Sequence, residues 1–194
     1  MAKDAVDRKL EDLASDPNEQ LDAAMRTRVL DRIASAPFSA DEKKVGEWSR
    51  LGANYDGQPN PSVPGETVTD DTVLDAAGWH ALKHIAQGEW QPGTTTQEYR
   101  SDVRAAVLHP AAALHVGREK ISYRGSLATT QRSRAAVRVD MAKAKSVTRK
   151  AAAMPGTAML AIYAIDTRRL ATAYQLEAKK AMATVTAWAD HRSF

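Results

Sequence analysis

Apolar residues recur at helical spacing through the first part of the chain. Val6, Leu10 and Leu13 fall on one helical face, and Asp16-Pro17 ends that segment. Leu21, Met25, Val29, Leu30 and Ile33 form a second stripe that stops before Pro37. Ser39, with Glu42 three residues on, has the form of a capping box opening DEKKVGEWSRL. Residues 52–69, GANYDGQPNPSVPGETVT, hold three prolines and three glycines among few apolar side chains, which is linker composition.

Helical spacing then resumes. Asp70 or Asp71 can cap a helix with Val73, Leu74, Ala77, Leu82 and Ile85 as its buried face and Trp79 beside it, and QPGTTT breaks it. Thr96 can cap the next, QEYRSDVRAAVLH, which turns Tyr99, Val103, Ala106 and Val107 inward and ends before Pro110. Beyond Pro110 the period shortens to two. REKISYRG alternates, RAAVRVDM sets Val137 and Val139 against Arg138, and AMLAIYAID reads as a buried strand with LATAYQL as its hairpin partner across DTRR. Alanine content favours one long helix from about 157 to 190 instead. Strands at 158–165 and 170–176 followed by a helix from Glu177 to Asp190 are the preferred assignment.

The expectation is an α+β chain in three parts. Residues 1–51 form an acidic, separable helical region and 52–69 a linker. Residues 70–194 form a basic α+β domain, two helices packed on a small antiparallel sheet with a C-terminal helix.

Composition narrows the function classes. Leu, Ile, Val and Phe number 33 against 36 alanines, so the core should be thin. The absence of cysteine excludes disulfides, thiolate metal sites and a cysteine nucleophile. MAKDAVDRKLEDL is charged throughout, and the strongest apolar run, AMLAIYAI at 158–165, is far shorter than the roughly 18 residues of a membrane span. A soluble, cytoplasmic protein without a cleavable signal or membrane partner is expected. The net charge of +3 conceals a division: residues 1–98 carry 10 basic and 18 acidic side chains, residues 99–194 carry 17 and 6. Such asymmetry suits a polyanion, with RNA preferred, held by Arg118, Lys120, Arg124, Arg132, Arg134 and Arg138 while the first half screens them. A solvated basic surface of no particular purpose is the bland alternative.

Chemistry centres on HALKHIAQGEW, residues 80–90, where His80 and His84 share one helical face. A zincin helix would need a glutamate where Ala81 stands, although a metal could recruit His109, His115 or Glu89 as a third ligand. The bland alternative makes one histidine a hydrogen-bonded core residue and the other a solvated one. The third reading is acid–base chemistry on a phosphodiester without metal or cofactor. There imidazole takes a proton from a ribose 2′-hydroxyl, and Lys83 with the arginines stabilises the phosphate.

The order of elements, a helix with Lys83-His84, a helix from Tyr99, basic strands and a hydrophobic strand running into LATAYQL, resembles colicin D-like tRNA-cleaving toxins. It is also similar to the wider barnase/EndoU/RelE-like ribonucleases of bacterial polymorphic toxins, over roughly residues 78–176. The resemblance implies a catalytic His84 with His80 as acid or orienter, Lys83 beside them, and Thr172 and Tyr174 completing the site. Ala173 stands where that family has glycine, the segment before the last strand is longer, and a further helix follows. A metal-independent, toxin-like ribonuclease acting on tRNA or other structured RNA is expected, with an inhibitor or immunity protein as partner. The alternative is a noncatalytic nucleic-acid-binding or phage virion or assembly protein, for which homo-oligomerisation is natural. An acidic N-terminal adaptor for a partner protein is a third, weaker option.

Overall fold

The computed structural model describes residues 3–40, 55–122, 129–144 and 156–194. Helices α1 (Ala5–Ser15) and α2 (Ala23–Ser35) begin at side-chain caps, since Asp4 accepts from Val6 and Asp7 N–H and Asp22 from Met25 N–H. The bond from Asp7 N–H does most to hold the Asp4 carboxyl down at about 2, with Arg32 of α2 adding to it. The expected helix opening at Ser39 lies outside the described residues.

Helix α3 (Ala76–Ala86) starts from Asp75, later than expected, which leaves Val73 outside the core and 93% exposed. Helix α4 (Thr96–Val107) is capped by Thr95 rather than Thr96, because Glu98 returns to the Thr95 N–H and completes a capping box. The chain then forms β1 (Ala113–Ser122), β2 (Thr129–Asp140), the short α5 (Met141–Ala144), β3 (Thr157–Ala164), β4 (Arg169–Glu177), α6 (Ala178–Thr186) and β5 (Ala189–Ser193). The fold is α+β: one antiparallel sheet in the order β4-β3-β2-β1-β5.

Alternation divides the sheet into two faces. Leu114, Val116, Ala135, Val137, Met159, Ala161, Tyr163 and Ala173 face α1, α2, α3 and α4 in the main core. Ala136, Leu160 and Ile162 face Val185 and Trp188 at the end of α6. All eight residues of β3 are therefore buried, and their alanines keep both layers close. Long-range pairing overrides the helix preference of alanine here, as propensity is worth only tenths of a kcal/mol per residue, about 0.7 at most for ordinary residues. The helix after β4 ends earlier than Asp190, and β5 follows it.

The acidic N-terminal helices share one core with the basic part of the chain. Val6, Leu10, Leu13, Val29, Leu30 and Ile33 share the main core with the sheet. The buried Asp7 carboxylate stands 2.7 Å from Arg32 and 3.0 Å from Arg168, which the β3–β4 turn carries at φ +56°. After α2 the chain pairs with the start of β4, Ser39 N–H donating to Leu170 C=O and Leu170 N–H to Pro37 C=O. Residues 59–68 contribute a Pro59–Thr67 bridge, and Val68 is buried with Tyr55, Leu74 and Leu82. The proline-rich stretch is thus a folded connection over one end of α3 rather than a free linker.

Candidate functional site at the edge of the sheet

Helix α3 lies against edge strand β4 and brings His84 to it. The helix ends on a left-handed Gly88 (φ +76°), whose N–H bonds back to Ile85 C=O while Glu89 N–H returns to His84 C=O. This reversal sets Glu89 beside the histidine that precedes it by one turn. Glu89 Oε2 stands 3.1 Å from His84 Nδ1 and accepts the Gln175 N–H of β4 at 2.7 Å, while the Gln175 amide donates to Glu89 C=O at 2.6 Å. The same carboxylate therefore bonds an edge-strand donor and stands close to the imidazole, whose Nδ1 makes no hydrogen bond.

On its other side His84 Nε2 lies 3.4 Å from Thr172 Oγ1. The Tyr174 ring stacks nearly parallel to the imidazole at 6.0 Å, Tyr99 does the same at 6.2 Å, and Trp90 is tilted against it at 6.2 Å. Tyr99 is wholly buried, and its hydroxyl donates to Ala173 C=O at 2.7 Å, which clamps β4 between the two candidate residues. Trp90 is fixed in turn by a 3.0 Å bond from Nε1 to Asp102. Burial pushes the phenols of Tyr99 and Tyr174 upward, with Glu89 adding to both and Glu119 to Tyr174. Tyr174 is a neutral hydrogen-bond donor at physiological pH.

Four of the five residues taken from the sequence thus converge, though not in equal roles. His84, Thr172 and Tyr174 meet at β4, and Lys83 is half-buried on α3. His80 is buried against Phe38 (ring centroids 4.9 Å) and stacks on His84 at 6.3 Å with planes 14° apart. It seats His84, and the two rings face one another rather than a common metal. Among the described residues no three histidine, aspartate or glutamate side chains form a metal-binding group.

The basic residues do not form one patch. The β1–β2 register places Arg132, Arg134 and Arg138 on the face that carries His115 and, across β3, Thr172 and Tyr174. Arg118 and Lys120 belong to the opposite face. Arg134 is 4% exposed and paired with Glu119 at 3.4 Å and Asp166 at 3.0 Å, so its guanidinium holds β1, β2 and the β3–β4 turn together instead of meeting phosphate. Arg124 lies outside the described residues.

Glu89 entered the sequence analysis only as a third metal ligand, and its role at Nδ1 was missed. Gly88 was the signal, since a glycine after the last apolar residue of a helix marks the reversal that returns the next side chain to that helix. Among the described residues no helix is long and apolar enough to cross a membrane. Comparison with protein-family models, with curated proteins and with solved structures finds no match to this chain.

Proposed function

We propose that the chain is a metal-independent ribonuclease of the toxin-like kind, acting in the cytoplasm on tRNA or another structured RNA, with His84 as its general base. The observation that carries the proposal is the Glu89–His84–Thr172 line. A carboxylate stands at Nδ1, and Nε2 faces a hydroxyl of a strand 88 residues away in sequence. Such an imidazole is oriented by one partner and offers its second nitrogen to a proton donor. In the proposed step Nε2 takes the proton of a ribose 2′-hydroxyl bound beside Thr172. The 2′-oxygen then forms a bond to the neighbouring phosphorus, and the P–O5′ bond breaks, its oxygen leaving with a proton from solvent. Glu89 stabilises the imidazolium, and the neutral Tyr174 phenol donates to a nonbridging oxygen. Lys83 and, on the same sheet face, Arg132 supply positive charge. The family resemblance supports this arrangement, as does the order of two helices followed by an antiparallel meander.

One observation favours the second reading, a noncatalytic nucleic-acid-binding or assembly protein. His84 is only 2% exposed and is enclosed by Tyr99, Tyr174, Trp90 and His80, as a core histidine is. Incubation with total tRNA and ribosomal RNA in EDTA separates the two. Discrete fragments from the wild type and none from His84→Gln are expected, with circular dichroism showing both proteins folded. Glutamine is preferred to alanine because truncation of a side chain so enclosed costs roughly 2–5 kcal/mol on its own account. Intact RNA with the wild type, or equal cleavage by the variant, overturns the proposal. An inhibitor or immunity protein would have to cover the β4 edge.

A further inference from the structure

The second concentration of titratable groups lies at the other edge of the sheet. Strands β4 and β5 are four strand spacings apart, about 19 Å. His115 of β1 and His191 of β5 approach with ring centroids 5.2 Å apart. Ser193 bridges them, its hydroxyl 2.7 Å from His115 Nδ1 and 3.4 Å from His191 Nε2. Gly117 permits this approach, because a Cβ there would stand 3.0 Å from His191 Cα and 3.1 Å from Ala189 O. The β1–β5 pairing shifts register at the same point, between Val116 and Arg118.

Arg138 of β2 occupies the same face, diagonal to His115 since Ala113 is its direct partner. Three buried nitrogens here have no hydrogen-bond partner: His115 Nε2, His191 Nδ1 and Arg138 Nε. Ser193 occupies Nδ1 of His115, which leaves Nε2 as the ring nitrogen open to a further partner. Leaving buried donors unsatisfied costs about 1–3 kcal/mol each, so an unmet cluster of them calls for a ligand. The charges acting on His115 are those of His191 and Arg138, which disfavour a cation beside it. Burial lowers both imidazoles, and in His115 the neighbouring His191 and Arg138 charges add to it, as expected where positive groups are gathered without their counter-ion.

We infer that His115, Arg138, His191 and Ser193 form a binding site for a phosphate group. The guanidinium fork of Arg138 supplies donors to its oxygens, with the open nitrogen of His115 beside it. This site is independent of the His84 proposal and stands whether or not the chain cleaves RNA.

The test is a titration of the full chain, at constant ionic strength and neutral pH, watching the ring signals of its five histidines by NMR. Inorganic phosphate in one arm and a short DNA oligonucleotide in the other distinguish a free phosphate from a nucleic-acid backbone. Saturable shifts of His115 and His191 are expected in at least one arm, with His80 and His84 unmoved. Arg138→Met should weaken the response at least tenfold, and Arg138→Lys, which keeps the charge without the fork, should retain part of it. Thermal melts establish that both variants fold. A linear drift of all five histidines in both arms, or a response unaltered in Arg138→Met, overturns the inference. Loss of cleavage in His84→Gln with the phosphate response intact would show the two sites to be separate.

Discussion

His115 makes the fold sensitive to mild acid, and the size of the effect follows from its surroundings. The residue is 1% exposed, and burial, then His191 and Arg138, lower it from 6.5 to about 4. Its folded value is depressed, so between pH 6.5 and 4 the unfolded chain binds the proton that the native chain refuses. Stability is therefore complete above pH 6.5 and is lost as pH falls towards 4. At pH 5 the full difference corresponds to about 2 kcal/mol. Solvent reaching the half-buried His191 beside it screens part of this, and about 1 kcal/mol is the expected loss. His191, also lowered by burial, acts in the same direction. The low Asp4 carboxyl titrates below this window. Urea unfolding at pH 7.5 and pH 5 in a phosphate-free buffer, for the wild type and His115→Gln, isolates the effect. The wild type should lose about 1 kcal/mol more than the variant between the two conditions. Equal losses would show that the imidazole titrates alike in both states and would refute the reasoning.

Two further expectations test the supports of the two edges. Tyr99→Phe removes the only described donor to Ala173 C=O besides the sheet itself, and should cost about 1–3 kcal/mol by urea unfolding; an unchanged midpoint would mean that the clamp on β4 is idle. Gly117→Ala forces a methyl group against the β5 backbone and should cost about 1–3 kcal/mol while releasing β5, read as faster amide exchange at Ala189–Ser193; protected β5 amides in the variant would refute the close approach.

The parts of the fold legible in the sequence are those where one period dominates. The stripes of α1 and α2, the inward Tyr99, Val103 and Val107 of α4, and the hairpin of β3 and β4 all follow from spacing. The hairpin turn did not announce itself, because Arg168 occupies the left-handed region where glycine or asparagine is usual. Its cost is offset by an ion pair to Asp7, some 160 residues earlier, which no local pattern could reveal. Strand β5 was missed for a similar reason: ADHRS has no apolar alternation, and its place at the edge rests on the glycine opposite it. At the candidate site, residue type and spacing singled out His80 and His84 and the resemblance pointed to Thr172 and Tyr174, whereas burial of His80 and pairing of Arg134 depend on the far strands.

The charge division acquires a different meaning once the packing is known. As a sequence it suggests an acidic part that can be cut away to expose a basic one. In the structure the acidic half supplies Val6, Leu10, Leu13, Val29, Leu30 and Ile33 to the face of the sheet, so its removal would uncover that core. Several cations of the second half are also engaged within the fold: Arg134 by two carboxylates, Arg168 by Asp7, and Arg192 by Glu19 C=O. The surplus left to meet a polyanion is smaller than the composition states. On the sheet face that joins the two histidine sites lies Arg138 of β2, whose Nε has no hydrogen-bond partner, and there positive charge coincides with groups able to hold phosphate. Affinity for nucleic acid should accordingly depend on that face more than on net charge, and substitutions at Arg118 or Lys120, on the opposite face, should change it less than substitution of Arg138.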